Sequence, residues 1–197
     1  MTPRASGDRA MAMGALKTEH RNLAQVLSCL DQEIKRLRSH DEKPDLDLLF
    51  SIVYYIRVFP DRYHHPKEDE YLFKNLRQRA DGVDGVLNEL EQEHARFAGL
   101  LIALEQALRD YDQGYPKGLD ALERQVGEYL EFQWQHMKKE EEQVLPIAEK
   151  AFKDEDWAAM NNAFLRHDDP MFGENVRAGF EALRHRIVKG TDSRLSG

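Results

Sequence analysis

Apolar residues recur every three or four positions along most of the chain, the spacing of one face of an α-helix. This pattern runs through four long stretches, at about residues 9–38, 45–79, 84–111 and 117–152. The segments between them are short and polar, and short turns join helices that lie side by side in opposite directions. The pattern therefore predicts an all-α protein, an antiparallel up-and-down four-helix bundle.

Apolar residues continue beyond the fourth stretch. Met160 and Phe164 share a helical face, and a further apolar run extends to Ile187. We expect a C-terminal helical extension that caps the bundle or forms the contact of a homodimer. The expected division of the chain is a flexible N-terminus (1–9), the bundle (10–152), the C-terminal helical extension (153–189) and a tail (190–197).

Polar residues stand on the apolar face of all four predicted helices. The first and third helices each carry one histidine there. The second and fourth each carry a histidine and a glutamate four residues apart, which places the two side chains on one face. These residues are His20, His64, Glu68, His94, His136 and Glu140.

The six polar residues are expected to lie at one depth. A helix rises about 1.5 Å per residue, so counting from the helix ends places them all about 15–24 Å from the same end of the bundle. Burying carboxylates without partners costs free energy, and metal cations remove that cost. The sequence therefore predicts a metal centre. Mixed imidazole and carboxylate ligands favour non-haem iron, with manganese or zinc as alternatives.

A count of donor atoms indicates two ions. Four imidazoles supply four bonds, two bridging carboxylates supply four more, and a bridging oxide or hydroxide adds two. Shared between two iron ions, these bonds leave each ion about five-coordinate, with an open position. Glu141, five residues after His136, is an alternative bridge if the fourth helix is locally wide.

The chain resembles the hemerythrin-like, HHE cation-binding domain family over about residues 10–152. That resemblance implies a four-helix bundle around a di-iron site, with the four histidines as terminal ligands and the two glutamates as bridges. The residues that carry it are Glu19-His20, His64 to Glu68 ahead of Leu72-Phe73, Glu93-His94, and His136 to Glu140 ahead of Val144-Leu145-Pro146.

One position departs from the oxygen-carrying hemerythrins. Those proteins have a fifth histidine on the third helix, four residues before the counterpart of His94, and here that position is Leu90. Glu91 could replace it in a Glu-x-x-His arrangement, and His65 could do so if Pro66 distorts the second helix. Water is the default ligand. The departure puts reversible oxygen carriage in doubt.

Composition narrows the function classes. The chain has 197 residues, of which 32% are charged, and its formal net charge of −8 repels nucleic acid and anionic membranes. A single cysteine, Cys29, excludes an internal disulfide framework and fits a reducing compartment. No apolar run approaches the ~20 residues of a membrane span, and the first residues lack the apolar core of a signal peptide. We expect a cytoplasmic protein. His40, His167 and His185 are expected on its surface.

Three functions remain open. The first is a sensor or responder that binds oxygen, nitric oxide or iron at the open position, with a small diatomic ligand or a redox partner. The second is a di-iron oxidase or peroxidase, or a factor that repairs iron centres, although the sequence indicates neither a general base nor a substrate pocket. The third is a helical interaction domain that holds no metal.

Overall fold

The computed structural model describes residues 3–39, 43–164, 169–173 and 179–192. These residues form six helices joined by turns and contain no strand, so the prediction of an all-α protein is confirmed. None of the described helices has the length and hydropathy needed to span a bilayer. The helices are α1 (Pro3–Ser39), α2 (46–79), α3 (Asp84–Gly114), α4 (119–151), α5 (Asp154–Phe164) and α6 (Glu181–Asp192).

Helix α1 begins at Pro3, earlier than the start near Arg9 that the apolar pattern indicates. Proline is tolerated in the first turn of a helix, because the N–H that it lacks has no partner there. Farther along, Oδ1 of Asp8 accepts a hydrogen bond of 2.8 Å from Nδ2 of Asn161, which lies on α5. The start of α1 is therefore held by a helix that lies far away in the sequence.

Helix α2 begins as expected and then changes its geometry. Oδ1 of Asp45 accepts a hydrogen bond of 3.1 Å from the backbone N–H of Leu48 and so caps the helix. Further along, two wide π-helical turns flank a short α-helical segment that contains an interior proline. The segments in order are Leu46–Val58, the π turn Pro60–His64, His65–Lys67, the π turn Glu68–Phe73, and Lys74–Arg79.

The π turns change which residues of α2 face the interior. Each π turn adds one residue to a turn, which rotates the following side chains by about 100° around the helix. The apolar stripe of the first segment would continue at residues 63 and 67 in a regular helix, but the buried residues are His64, His65 and Glu68. Helix α4 has one such turn, Glu140–Val144, between Leu119–Lys139 and Leu145–Ala151.

The buried apolar side chains form two clusters on either side of a polar layer. On α1, Leu16 belongs to one cluster and Leu23 to the other, and buried His20 lies between them. The other three long helices cross from one cluster to the other at their own histidines. The polar residues that the sequence placed at one depth therefore occupy one layer of the interior.

The C-terminal helices cover both apolar clusters. Helix α5 packs along α1 and buries Trp157 and Phe164 in the cluster that contains Leu16. Helix α6 contacts α1 and α2 and contributes Leu183 to the cluster that contains Leu23. The segment before α6 is tied to α2 through Asp169, whose buried carboxylate accepts a hydrogen bond of 3.1 Å from the Tyr55 hydroxyl.

Candidate metal centre

Glu68 is fully buried in the middle of the polar layer, with a histidine pair facing one of its oxygens. Its Oε1 lies 3.4 Å from Nε2 of His20 and 3.3 Å from Nε2 of His64. Its Oε2 lies 3.6 Å from Nε2 of His94. These distances are too long for good hydrogen bonds. They leave room between the carboxylate oxygens and the imidazole nitrogens.

Glu140 is also fully buried and repeats this arrangement from α4. Its Oε2 lies 3.3 Å from Nε2 of His20. Its Oε1 lies 3.4 Å from Nε2 of His136 and 3.8 Å from Nε2 of His94. Both carboxylates therefore lie between the histidines of α1 and α2 on one side and those of α3 and α4 on the other.

His65 joins the side that contains His94 and His136. Its ring is buried and stacks on the His94 ring, with centroids 4.3 Å apart and planes 17° apart. One ring nitrogen from each of these three histidines forms a group in which the atoms lie within 4.8 Å of one another. The π turns on both sides of residues 65–67 let His64 and His65 face the layer together. We call His20 and His64 the two-histidine half, and the other three histidines the three-histidine half.

Each of four inner histidines is held by a carboxylate on its outer side. In every case Nδ1 lies 2.9 Å from a carboxylate oxygen, so Nδ1 carries the proton and Nε2 is directed inward. Histidines that bind metals commonly have such an outer partner, which sets the tautomer and the ring orientation. The pairs are His20 with Glu141, His64 with Glu19, His94 with Asp69, and His136 with Glu93.

The two halves of the chain repeat one arrangement. A Glu-His dipeptide on the first helix of each half meets a His-x-x-Lys-Glu segment on the second. In the first half, Nζ of Lys67 lies 2.7 Å from Oε1 of Glu19. In the second, Nζ of Lys139 contacts Oε1 of Glu93 in the same way. The orienting roles of Glu19 and Glu93 were missed from the sequence, although their repeated position just before a histidine is a usable signal.

One residue breaks this repeat. His65 directly follows His64, and the equivalent residue after His136 is Met137. Because methionine replaces histidine at this position, one half of the centre has three imidazoles and the other has two.

The unpaired atoms of the layer fit metal cations. Within the described residues, six inward-facing buried atoms have no hydrogen-bond partner. Each unsatisfied buried polar atom costs about 1–3 kcal/mol, and the cost is larger for charged groups. A cation on each side of the two carboxylates would satisfy all six. These atoms are both carboxylate oxygens of Glu68, both of Glu140, Nε2 of His20 and Nε2 of His65.

The buried carboxylates also alter how the histidines ionise. Burial alone lowers the pKa of His20, but contacts with Glu140, Glu141 and Glu68 raise that pKa well above its ordinary value. The same competition, between burial and nearby carboxylates, raises the pKa of His94 to about 10 and that of His136 to about 9. Protonated imidazoles therefore supply the positive charge that balances the carboxylates when no metal does.

His65 behaves in the opposite way. Burial lowers its pKa well below the ordinary value, and the charges of His94, His64 and His136 lower it further. Its imidazole is therefore neutral at physiological pH, which is the form that binds a metal.

Two further candidates from the sequence lie outside the layer. The Glu91 carboxylate is bound by both terminal nitrogens of the Arg77 guanidinium, at 2.7 and 2.9 Å. Glu141 is 46% exposed and acts as the outer partner of His20. The structure thus brings together the six principal candidates and His65, and separates Glu91 and Glu141 from them. His185 is exposed, whereas His40 and His167 lie outside the described residues.

Comparison with known proteins identifies the family. The model of the hemerythrin HHE cation binding domain matches residues 11–148. Uncharacterized proteins of Mycobacterium bovis (strain AF2122/97) and of Mycobacterium tuberculosis (strains CDC 1551 and H37Rv) are each 26% identical to this chain over 176 residues. The aligned region covers 88% of this chain and 66%, just under two thirds, of each relative.

No solved structure matches the chain. The family match covers more than half of its length, including all seven residues that meet in the polar layer. The chain therefore belongs to the hemerythrin HHE cation-binding domain family.

Proposed function

We propose that this protein holds two iron ions in its polar layer and binds or responds to a diatomic ligand, oxygen or nitric oxide. One observation carries the proposal: Glu68 and Glu140 each direct one oxygen towards the two-histidine half and the other towards the three-histidine half. A carboxylate placed in this way can bridge two ions. The common layer crossed by α1 to α4 also supports an antiparallel up-and-down bundle for these four helices.

The ligands follow from this arrangement. His20 and His64 would hold one ion, and His65, His94 and His136 would hold the other, with the two glutamates shared. Bound iron would supply reversible electron transfer and a position for an external ligand. Around it, the outer carboxylates orient the imidazoles, and the two apolar clusters keep bulk water away from the layer.

The difference between the halves indicates where an external ligand binds. At the two-histidine half, Met137 stands where the other half has His65, so one coordination position lacks a protein nitrogen. Met137 and His20 line a cavity of about 290 Å³ that opens to the surface beside Trp134. A small ligand would enter from this side. In the three-histidine half, His65 would supply a fifth imidazole from another helix in place of the one that Leu90 does not provide.

Metal content tests the proposal. Protein purified after iron-replete expression should contain two iron ions per chain, measured by elemental analysis. Glu140→Ala should lose most of this iron because both half-sites lose a shared ligand. Glu142→Ala is the matched control, since Glu142 is an exposed glutamate two residues along. Less than one ion per chain in the parent protein, or equal iron in both variants, would contradict the proposal.

Proton release on metal loading is a second test. His20, His94 and His136 have raised pKa values, but Nε2 of His94 and Nε2 of His136 lie 3.1 Å apart and share one proton, so metal must displace about two protons. Affinity should therefore rise with pH until the pH passes the pKa values of His136, about 9, and His94, about 10. Calorimetric titration of metal-free protein with Zn²⁺, in two buffers of different ionisation enthalpy, measures the release. Loading without proton release would show that carboxylates do not raise these pKa values.

The open position can be closed by a substitution. Met137→His should place a sixth imidazole at the two-histidine half and compete with an external ligand. Because a tethered ligand acts at an effective concentration near millimolar, nitric oxide should bind at least about tenfold more weakly. Met137→Leu keeps the apolar volume and should bind nitric oxide as the parent does. Spectra of the reduced iron protein report binding, and equal affinity in the two variants would contradict this placement of the open position.

A further inference from the structure

A second cavity, of about 570 Å³, lies between helix α5 and the part of α2 that contains the π turns. Helix α5 follows the matched residues 11–148, so one wall of this cavity comes from outside the family domain. A cavity of this volume is large enough for a small organic molecule. Its lining includes Arg62, Tyr63, Pro66, Lys67, Tyr71 and Asn162.

The repeat between the two halves of the chain shows how the partners of Lys67 differ from those of its counterpart, Lys139. In the second half, the Lys139 ammonium contacts two carboxylates, those of Glu93 and Glu89. In the first half, the equivalent Lys67 contacts Glu19, and the residue at the position of Glu89 is Ala15. Among the described residues, Lys67 therefore has one carboxylate partner where its counterpart has two, and its ammonium also lies over the Phe164 ring of α5, 4.9 Å from the centroid. Lys67 also lines the cavity.

Other donors in the cavity are uncommitted. Among the residues that the structure describes, neither the Arg62 guanidinium nor the hydroxyls of Tyr63 and Tyr71 have a hydrogen-bond or ion-pair partner. The carboxylate that lines the cavity, that of Glu70, is already paired with Lys74 at 2.5 Å. The cavity thus offers one unpaired positive charge and several donors.

We propose that this cavity binds a small carboxylate that carries an aromatic or similarly flat apolar body. The carboxylate would lie on the cavity side of the Lys67 ammonium, and the guanidinium of Arg62 would provide the balancing charge. Arginine and lysine form strong, charge-assisted hydrogen bonds with carboxylates. The two tyrosine rings and Pro66 form flat apolar surfaces suited to the body of such a molecule.

The cavity is connected to the polar layer. Lys67 donates to Glu19, and Glu19 in turn accepts the proton-bearing Nδ1 of His64, at 2.7 and 2.9 Å. A carboxylate bound beside Lys67 would compete with Glu19 for the ammonium and so change how His64 is held. This coupling rests on the proposed iron site, whereas binding in the cavity does not require it.

Calorimetric titration with benzoate tests the binding. Benzoate should bind at least about tenfold more tightly than benzamide, which has the same ring and shape without the charge. It should also bind more tightly than inorganic phosphate, which lacks the flat body. Arg62→Glu should weaken benzoate binding about tenfold or more, and Arg124→Glu, the same change at an exposed arginine of α4, should leave it within about twofold.

Equal binding of benzoate and benzamide would overturn the proposal, as would equal losses in the two arginine variants. If phosphate binds as tightly as benzoate, the proposed preference for a flat apolar body is wrong and the cavity is a general anion site. The titration is performed on the protein as purified and after treatment with a chelator, so a failure of the iron site does not affect it. With iron bound, benzoate should shift the visible absorption spectrum, and saturation by benzoate without a shift would overturn the coupling.

Discussion

Two carboxylates buried without hydrogen-bond partners are the constraint on which the rest of this structure depends. Glu68 and Glu140 are fully buried at the junction of four long helices, and neither could remain charged there without positive charge beside it. The surrounding imidazoles can provide this positive charge in either of two ways. They hold protons themselves, as the raised pKa values of His94 and His136 indicate, or they release those protons and bind cations. Metal affinity, pH dependence and stability are therefore properties of one set of interactions.

The surrounding structure keeps this layer in place. Apolar clusters above and below exclude water, and outer carboxylates hold four of the five imidazoles so that Nε2 is directed inward. Lysines then hold two of those carboxylates in the same way in both halves of the chain. The positions at which the two halves of the chain differ from this repeat are the ones that indicate function. The presence of His65 where the other half has Met137 makes the centre unequal. The presence of Ala15 where the other half has Glu89 leaves Lys67, which lines a cavity, with one carboxylate partner among the described residues.

The sequence was sufficient to predict an all-α protein and to place the polar residues of α1, α3 and α4 in one layer, because three- and four-residue spacing reports directly which side of a helix is buried. His64 and Glu68 of α2 were placed there because their four-residue spacing repeats that of His136 and Glu140. The sequence could not predict the position of His65. That depends on π turns around Pro60 and Pro66, which shift the register of α2, and a regular helix would have directed residues 63 and 67 inward instead. The roles of the outer carboxylates Glu19 and Glu93 were not predicted from the sequence for another reason. Glu19 and Glu93 hold histidines on neighbouring helices, so the histidine that each one orients becomes clear only when the helices are packed.

The central claim is that two ions share Glu68 and Glu140 and that His65 binds one of them. Anomalous diffraction at the iron absorption edge, from crystals of the iron-loaded protein, tests it most directly. Two peaks are expected between the glutamates, one bonded to His20 and His64 and the other to His65, His94 and His136. A single peak shared by all the histidines, or two peaks with Nε2 of His65 turned away from both, would contradict it.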